Sequence, residues 1–145
     1  MFFGQFHHKL NAKNQVTIPS RFRQLMPEHE KLYILRMSAD ALYLYTQGEI
    51  EKVMQRVREN GPAIDPEFRR VFASRVTPVD MDAQGRIVIS QELKSAVGIE
   101  TDVAFIGNAE RVEIWPFDRW QAFEKANEAG YREKLGTMMD ELFEK

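Results

Sequence analysis

The residues with chemistry to offer concentrate in two short stretches, and the stronger is Asp82-Ala83-Gln84-Gly85-Arg86. Asp at the first position of a tight turn accepts backbone N–H groups, and Gly at the fourth supplies a positive φ without a Cβ clash. Arg86 leaves the turn ahead of Ile87-Val88-Ile89, a β-branched run that reads as a buried strand. A capped turn with one arginine at its tip presents charge rigidly, although an ordinary hairpin with a solvated arginine fits this stretch equally well. The elements that must hold the tip follow directly. Ser90 stands as N-cap before Leu93, Ala96 and Val97, spaced as one helix face, and Gly98 ends that helix.

The same order occurs 71 positions earlier, in Asn11-Ala12-Lys13-Asn14-Gln15-Val16-Thr17-Ile18-Pro19. Val16 and Ile18 match Ile87 and Ile89, and Phe22, Leu25 and Met26 match Leu93, Ala96 and Val97. Leu32 and Ile34 then match Val103 and Phe105, and at an offset of 70 Leu42, Leu44 and Tyr45 match Val112, Ile114 and Trp115. Both copies close on an apolar helical face, Ile50 and Val53 against Trp120 and Phe123. An internal duplication of this length sets the architecture before any local detail does.

These stretches, DAQGRIVIS at 82–90, NAKNQVTIPSRFR at 11–23 and the opening MFFGQF, resemble the MraZ family of bacterial transcriptional regulators. The resemblance covers essentially the whole chain. It implies an α+β, β-rich fold: a duplicated AbrB-like swapped-hairpin β-barrel with short flanking helices. The first copy departs from the family's Asp-x-Lys-Gly-Arg pattern, with Asn11, Asn14 and Gln15 in place of Asp, Gly and Arg. The implied organisation is a first repeat at 1–60, a linker and connecting helix at 61–75, a second repeat at 76–130 and a helical tail at 131–145.

The function implied is DNA binding. The two turns would lie side by side across an internal pseudo-twofold axis, each sending a polar tip into a major groove. Arg86 would read a base edge, since arginine is the usual bidentate partner of guanine. Lys13, Asn14, Gln15 and Gln84 share the tips, with Asn11, Asp82 and Gly85 as the residues that build the turns. Arg21, Arg23 and Lys94, at the helix starts, would fix phosphates. The partners expected are double-stranded DNA carrying promoter direct repeats, typically of a cell-division and cell-wall gene cluster, and further copies of the chain in a ring-like homo-oligomer. Neither a membrane nor a small-molecule substrate is expected as a partner. A second class stays open: an oligomeric interaction protein of the same fold with weakened or lost DNA binding.

Composition sets the other bounds. The chain has 145 residues, no cysteine and a net charge of −2. Disulfides, thiolate zinc sites and cysteine nucleophiles are thereby excluded. Residues 1–27 carry Lys9, Lys13, Arg21 and Arg23 and no acidic residue, so the first motif is locally basic inside an acidic protein. No stretch has the length of a membrane span and none reads as a signal peptide, so a cytoplasmic protein is expected, and the DNA binding that the resemblance implies would associate it with the nucleoid. His7 and His8 alternate along a strand and face opposite ways, so they cannot chelate one metal. Asp80 and Asp82 share a side, but Asp82 caps its own turn and no nucleophile or metal partner stands near. With no phosphate loop, zinc spacing or Ser/His/Asp set, the expectation is no enzyme, no metal and no cofactor.

The remaining elements are read from periodicity. A strand begins at Phe2-Phe3-Gly4 and runs over Phe6–Leu10. Leu32–Met37 and Ala41–Tyr45 form a hairpin, followed by a helix with Ile50, Val53, Met54 and Val57 on one face, ended at Asn60-Gly61-Pro62. Asp65-Pro66 opens a second helix whose buried face is expected to be Phe68, Val71 and Phe72. Arg75–Met81 enters the second turn. Val103–Ile106, a turn at Gly107–Glu110, and Arg111–Trp115 repeat the hairpin. Asp118 caps a last helical segment interrupted at Gly130 and Gly136, whose apolar residues Tyr131, Leu135, Met138 and Leu142 call for a covering surface.

Overall fold

The computed structural model describes residues 1–36, 38–60 and 65–143. The expected strand end at Met37, Gly61 and Pro62 of the linker, and residues 144–145 of the tail lie outside them. In chain order the elements are β1 (Phe2–Lys9), β2 (Gln15–Thr17), α1 (Ser20–Arg23), β3 (Leu32–Arg36), β4 (Leu42–Thr46), α2 (Gln47–Glu59), α3 (Pro66–Ser74), β5 (Val76–Val79), β6 (Arg86–Val88), α4 (Gln91–Val97), β7 (Asp102–Ala109), β8 (Arg111–Pro116) and α5 (Phe117–Phe143).

Six strands form one antiparallel sheet in the order β1-β7-β8-β4-β3-β5, and β2 pairs with β6 in a separate two-stranded ribbon. The copies interleave. β1 of the first lies on β7 of the second, and β5 of the second lies on β3 of the first. The registers place a pseudo-twofold axis: the matched residues Val16 and Ile87 face each other in the ribbon, and Tyr43 faces Glu113 where β4 meets β8. The sheet is not the closed barrel expected. β2 and β6 are three residues each and pair only with one another, so the large ladder ends at β1 and β5. Pro78, with no N–H to offer, sits in the β5 edge, where its loss of a donor is tolerated.

The core lies between the ribbon and the sheet. Val16, Ile18, Phe22, Ile87, Ile89 and Leu93 pack on Ile34, Leu44, Phe105 and Ile114. Phe22 meets Phe2 and Phe6 edge-on, with ring centroids 5.7 and 5.2 Å away. Each such side chain contributes roughly 1.5–3 kcal/mol on burial, so the ribbon is fixed to the sheet mainly by its inward residues, with His8 Nδ1 of β1 against Thr17 O of β2 as a polar contact beside them. The sheet's other face is covered by α5 through Phe117 and Trp120, and by α2 and α3 through Ile50, Val53 and Phe72.

Helix ends follow local chemistry. Thr46, Asp65 and Ser90 cap α2, α3 and α4 by accepting N–H groups of Glu49, Glu67 and Leu93. Gly98 closes α4 at φ +80°, where a Cβ would be strained. Five expectations are corrected. Phe68 and Val71 are about half exposed, so α3 lays only Phe72 against the sheet. Leu25 is also half exposed. β7 runs on through Gly107 to Ala109, because Gly107 lets the Phe3 backbone approach: a Cβ there would lie 2.4 Å from Phe3 N. Finally, α5 is continuous through Gly130 and Gly136, and Asp118 sits inside its first turn instead of capping it. A glycine inside a helix costs about 1 kcal/mol relative to alanine; it ends a helix only where the backbone turns left-handed.

Candidate nucleic-acid interface

The two tips have the same backbone and different charge. In the second copy, Asp82 Oδ1 accepts the N–H groups of Gln84 (2.9 Å) and Arg86 (2.8 Å), and Oδ2 accepts Arg86 Nε at 2.8 Å. Gly85 N donates to Asp82 O at 3.0 Å, and Gly85 sits at φ +79°. In the first copy, Asn11 Oδ1 accepts Lys13 N and Gln15 N, each at 2.9 Å, and Asn14 sits at φ +59°. Asn11 Nδ2 donates to Gln15 Oε1 at 2.9 Å. The contact that Asp82 and Arg86 make as an ion pair is thus made by Asn11 and Gln15 as a neutral hydrogen bond with the donor on the other side. Two of the three departures from the motif, Asn11 and Gln15, are thus one compensated change. Backbone N–H donation from Arg86, ahead of its guanidinium, holds the Asp82 carboxyl below the usual carboxylate range.

The tips brace each other across the axis. Ile18 N donates to Gly85 O and Ile89 N to Asn14 O, both at 2.9 Å. From α1, Arg23 donates Nε to Ile18 O at 2.9 Å and lays its guanidinium where a Gly85 Cβ would be, with Nη1 2.4 Å from that point. From α4, Lys94 donates Nζ to Asn14 Oδ1 at 2.9 Å. Lys94 therefore does not stand exposed at a helix start. It lies in the last turn of α4, is 9% exposed and has its ammonium committed to Asn14, which removes it from the phosphate-binding residues expected. Arg23 is half-buried in the matching place.

The solvent face of the ribbon is defined by strand alternation. Val16, Ile18, Ile87 and Ile89 point into the core, and Gln15, Thr17, Arg86 and Val88 point out. Lys13 and Gln84 are exposed on the tips, and Arg21 is exposed on α1 with its guanidinium carbon 5.7 Å from the Phe6 ring centre. The two terminal nitrogens of Arg86 make no hydrogen bond among the described residues; the bond to Asp82 is made by Nε. Thr17 and Val88 were missed by sequence reasoning, although the same period of two that buries their neighbours turns them outward.

The other candidates separate. His7 Nε2 lies 2.7 Å from Asp102 Oδ1 with its ring stacked on Phe117, while His8 Nδ1 lies 2.5 Å from Thr17 O. Asp80 pairs with Lys31 at 3.0 Å, away from Asp82 in its turn. Among the described residues no three His, Cys, Asp or Glu side chains converge.

Fold and tips together define a class: a duplicated α+β protein whose copies exchange strands and set two polar turns on one ribbon. The family model described as "MraZ protein, putative antitoxin-like" matches residues 72–142. Curated relatives named transcriptional regulator MraZ include one from Acetivibrio thermocellus, 34% identical over 126 residues, 85% of this chain and 86% of that protein. Another from Symbiobacterium thermophilum is 32% identical over 98% of this chain and 97% of its own, and one from Clostridium tetani 33% identical over 98% and 99%. The chain belongs to the MraZ family.

Proposed function

We propose that this protein is a sequence-specific DNA-binding transcriptional regulator that lays the β2/β6 ribbon into a major groove. The observation that carries the reading is Arg86. Its Nε donates to Asp82 at 2.8 Å, which holds the side chain at the tip, and in this reading its two terminal nitrogens meet a guanine O6/N7 edge. Gln15, in the matched place, carries the hydrogen-bonding set of an adenine reader. Lys13 and Gln84 extend the tips, Arg21 and Arg23 flank them for phosphate contacts, and Asn11, Asn14, Asp82 and Gly85 hold the turns. A groove about 12 Å wide admits a two-stranded ribbon. The relatives named transcriptional regulators support the same conclusion.

In this reading residues 1–60 and 76–130 are the repeats, here as a swapped-hairpin pair, with the tail from 131 free to join subunits. One ribbon makes few contacts, so useful affinity comes from several copies in a ring on promoter direct repeats, in the cytoplasm at the nucleoid, controlling a cell-division and cell-wall cluster. The neutral Asn11–Gln15 tip favours the alternative of an interaction protein with weakened DNA binding. A gel shift on the DNA upstream of its own gene, repeated over a salt series, separates the two. A binder shows log K falling with log salt by about 0.9 for each phosphate neutralised; a flat dependence or no shift favours the alternative.

A further inference from the structure

We propose that Val88 sets base preference beside Gln15 by covering the C5-methyl group of a thymine, while Thr17 beside Arg86 is permissive. The inference rests on the DNA-binding reading above and names what the rest of the ribbon face recognises.

Register supplies the argument. Gln15 stands directly opposite Val88, and Thr17 directly opposite Arg86. Side chains directly opposite in an antiparallel pair have Cβ atoms about 4.5–5.5 Å apart, while bases on a strand follow one another every ~3.4 Å. Each cross-strand pair therefore spans one or two base pairs, and the face divides into two corners, Arg86 with Thr17 and Gln15 with Val88. The duplication relates the corners by the axis, Gln15 matching Arg86 and Thr17 matching Val88. The copies thus differ at both outward positions.

Val88 is absent from the core cluster and is 51% exposed, although its two strand neighbours are almost fully buried. Single exposed apolar residues are common, but this one stands beside Gln15 on the recognition face. A valine there can neither donate nor accept a hydrogen bond. In the major groove, thymine is the base that offers a methyl group, whereas cytosine would set its N4 amino group against Val88 with no acceptor. Thr17 brings a hydroxyl and a methyl, compatible with either neighbour of a guanine. The Gln15–Val88 corner accordingly takes an A·T step with thymine methyl under Val88, and the Arg86–Thr17 corner takes guanine.

The test uses the full-length protein and the duplex it selects from a random library. Each thymine of that duplex is replaced in turn by deoxyuracil, which deletes only the methyl group. Wild type, Val88→Thr and Val88→Ser are compared by gel shift, with thermal melting to verify folding. One position should weaken wild-type binding about fourfold, the worth of one methyl at ~0.8 kcal/mol. Val88→Ser should not respond at that position, and Val88→Thr, which retains the β-branch, should respond less than wild type. Equal responses in all three proteins, a wild type that responds nowhere, or a selected site without thymine beside the adenine would overturn the assignment of Val88. A wild type that shifts no duplex at low salt would contradict the DNA-binding reading itself, and the assignment with it.

Discussion

Lys94 Nζ donates to Asn14 Oδ1 across 2.9 Å and 80 residues of sequence, from the helix of one copy to the turn of the other. The matched residues are Arg23 and Gly85, where the longer guanidinium occupies the space that a side chain would need. Each copy's helix thus stabilises the other copy's positive-φ turn, by hydrogen bonding to a side chain in one case and by filling its absence in the other. Asn14 is a turn residue that carries an acceptor, and its φ of +59° is among those asparagine tolerates.

Asn14→Gly should therefore destabilise the protein, although glycine suits the backbone better. A buried ammonium left without its acceptor costs about 1–3 kcal/mol, more than the relief of left-handed strain at an asparagine. We expect a net loss of ~1 kcal/mol in urea denaturation. Adding Lys94→Arg, which recreates the Arg23–Gly85 pairing, should recover most of it. Unchanged stability in the single variant would mean that the contact does not hold the turn.

Asp82 ties the second turn to pH, and Asn11 leaves the first without a carboxylate. The folded Asp82 carboxyl lies below its ordinary value. Its contribution to stability is present above the unfolded pKa of about 3.9 and is lost as pH falls through the lower folded value. Asp82→Asn should flatten the part of the melting-temperature profile below about pH 4 and lower the plateau above it. An acid limb identical in the two proteins would mean that Asp82 is not held by its turn.

Much of this was legible in the chain. The offset of 71 identified the two turns as copies, and Ser90, Asp65 and Gly98 marked helix ends by mechanisms that need no tertiary partner. What lay beyond reach was long-range. Alternation shows that Val16 and Ile87 are buried, but not that β2 would take β6 as its partner. Lys94 read as a surface lysine because its acceptor is in the other copy. The spacing of Phe68, Val71 and Phe72 showed a face without showing that the sheet covers only its end. Gly130 and Gly136 read as breaks because their cost, about 1 kcal/mol each, is smaller than what a long helix absorbs.

The tail gives a separate prediction. α5 is anchored through its first turns, where Trp120 and Phe123 meet Trp115 and where Gln5 donates to Glu124. Beyond Gly130, Tyr131, Met138, Met139 and Leu142 are exposed. Ending the chain at Gly130 should lower the subunit number in sedimentation and leave the melting temperature of the body within a few degrees. An unchanged assembly with a lowered melting temperature would place the tail on its own subunit.

Gln15 and Arg86 should read different bases. Asn11→Asp with Gln15→Arg restores the ion-paired tip as a unit, and it should move the preference at that half of the site from adenine to guanine by about 1–3 kcal/mol. Selection from a random duplex library reports this directly, and identical consensus sites from the two proteins would remove Gln15 from base reading.

The central claim is that the ribbon reads DNA through Arg86, and binding of Arg86→Ala to the wild type's selected duplex tests it most directly. The substitution removes an exposed ion pair worth about 0–1 kcal/mol, so the variant should fold. The account predicts that its affinity falls to that for an unrelated duplex of equal length, while wild type keeps a clear difference between the two. A folded Arg86→Ala protein that still prefers the selected duplex as strongly as wild type would contradict it.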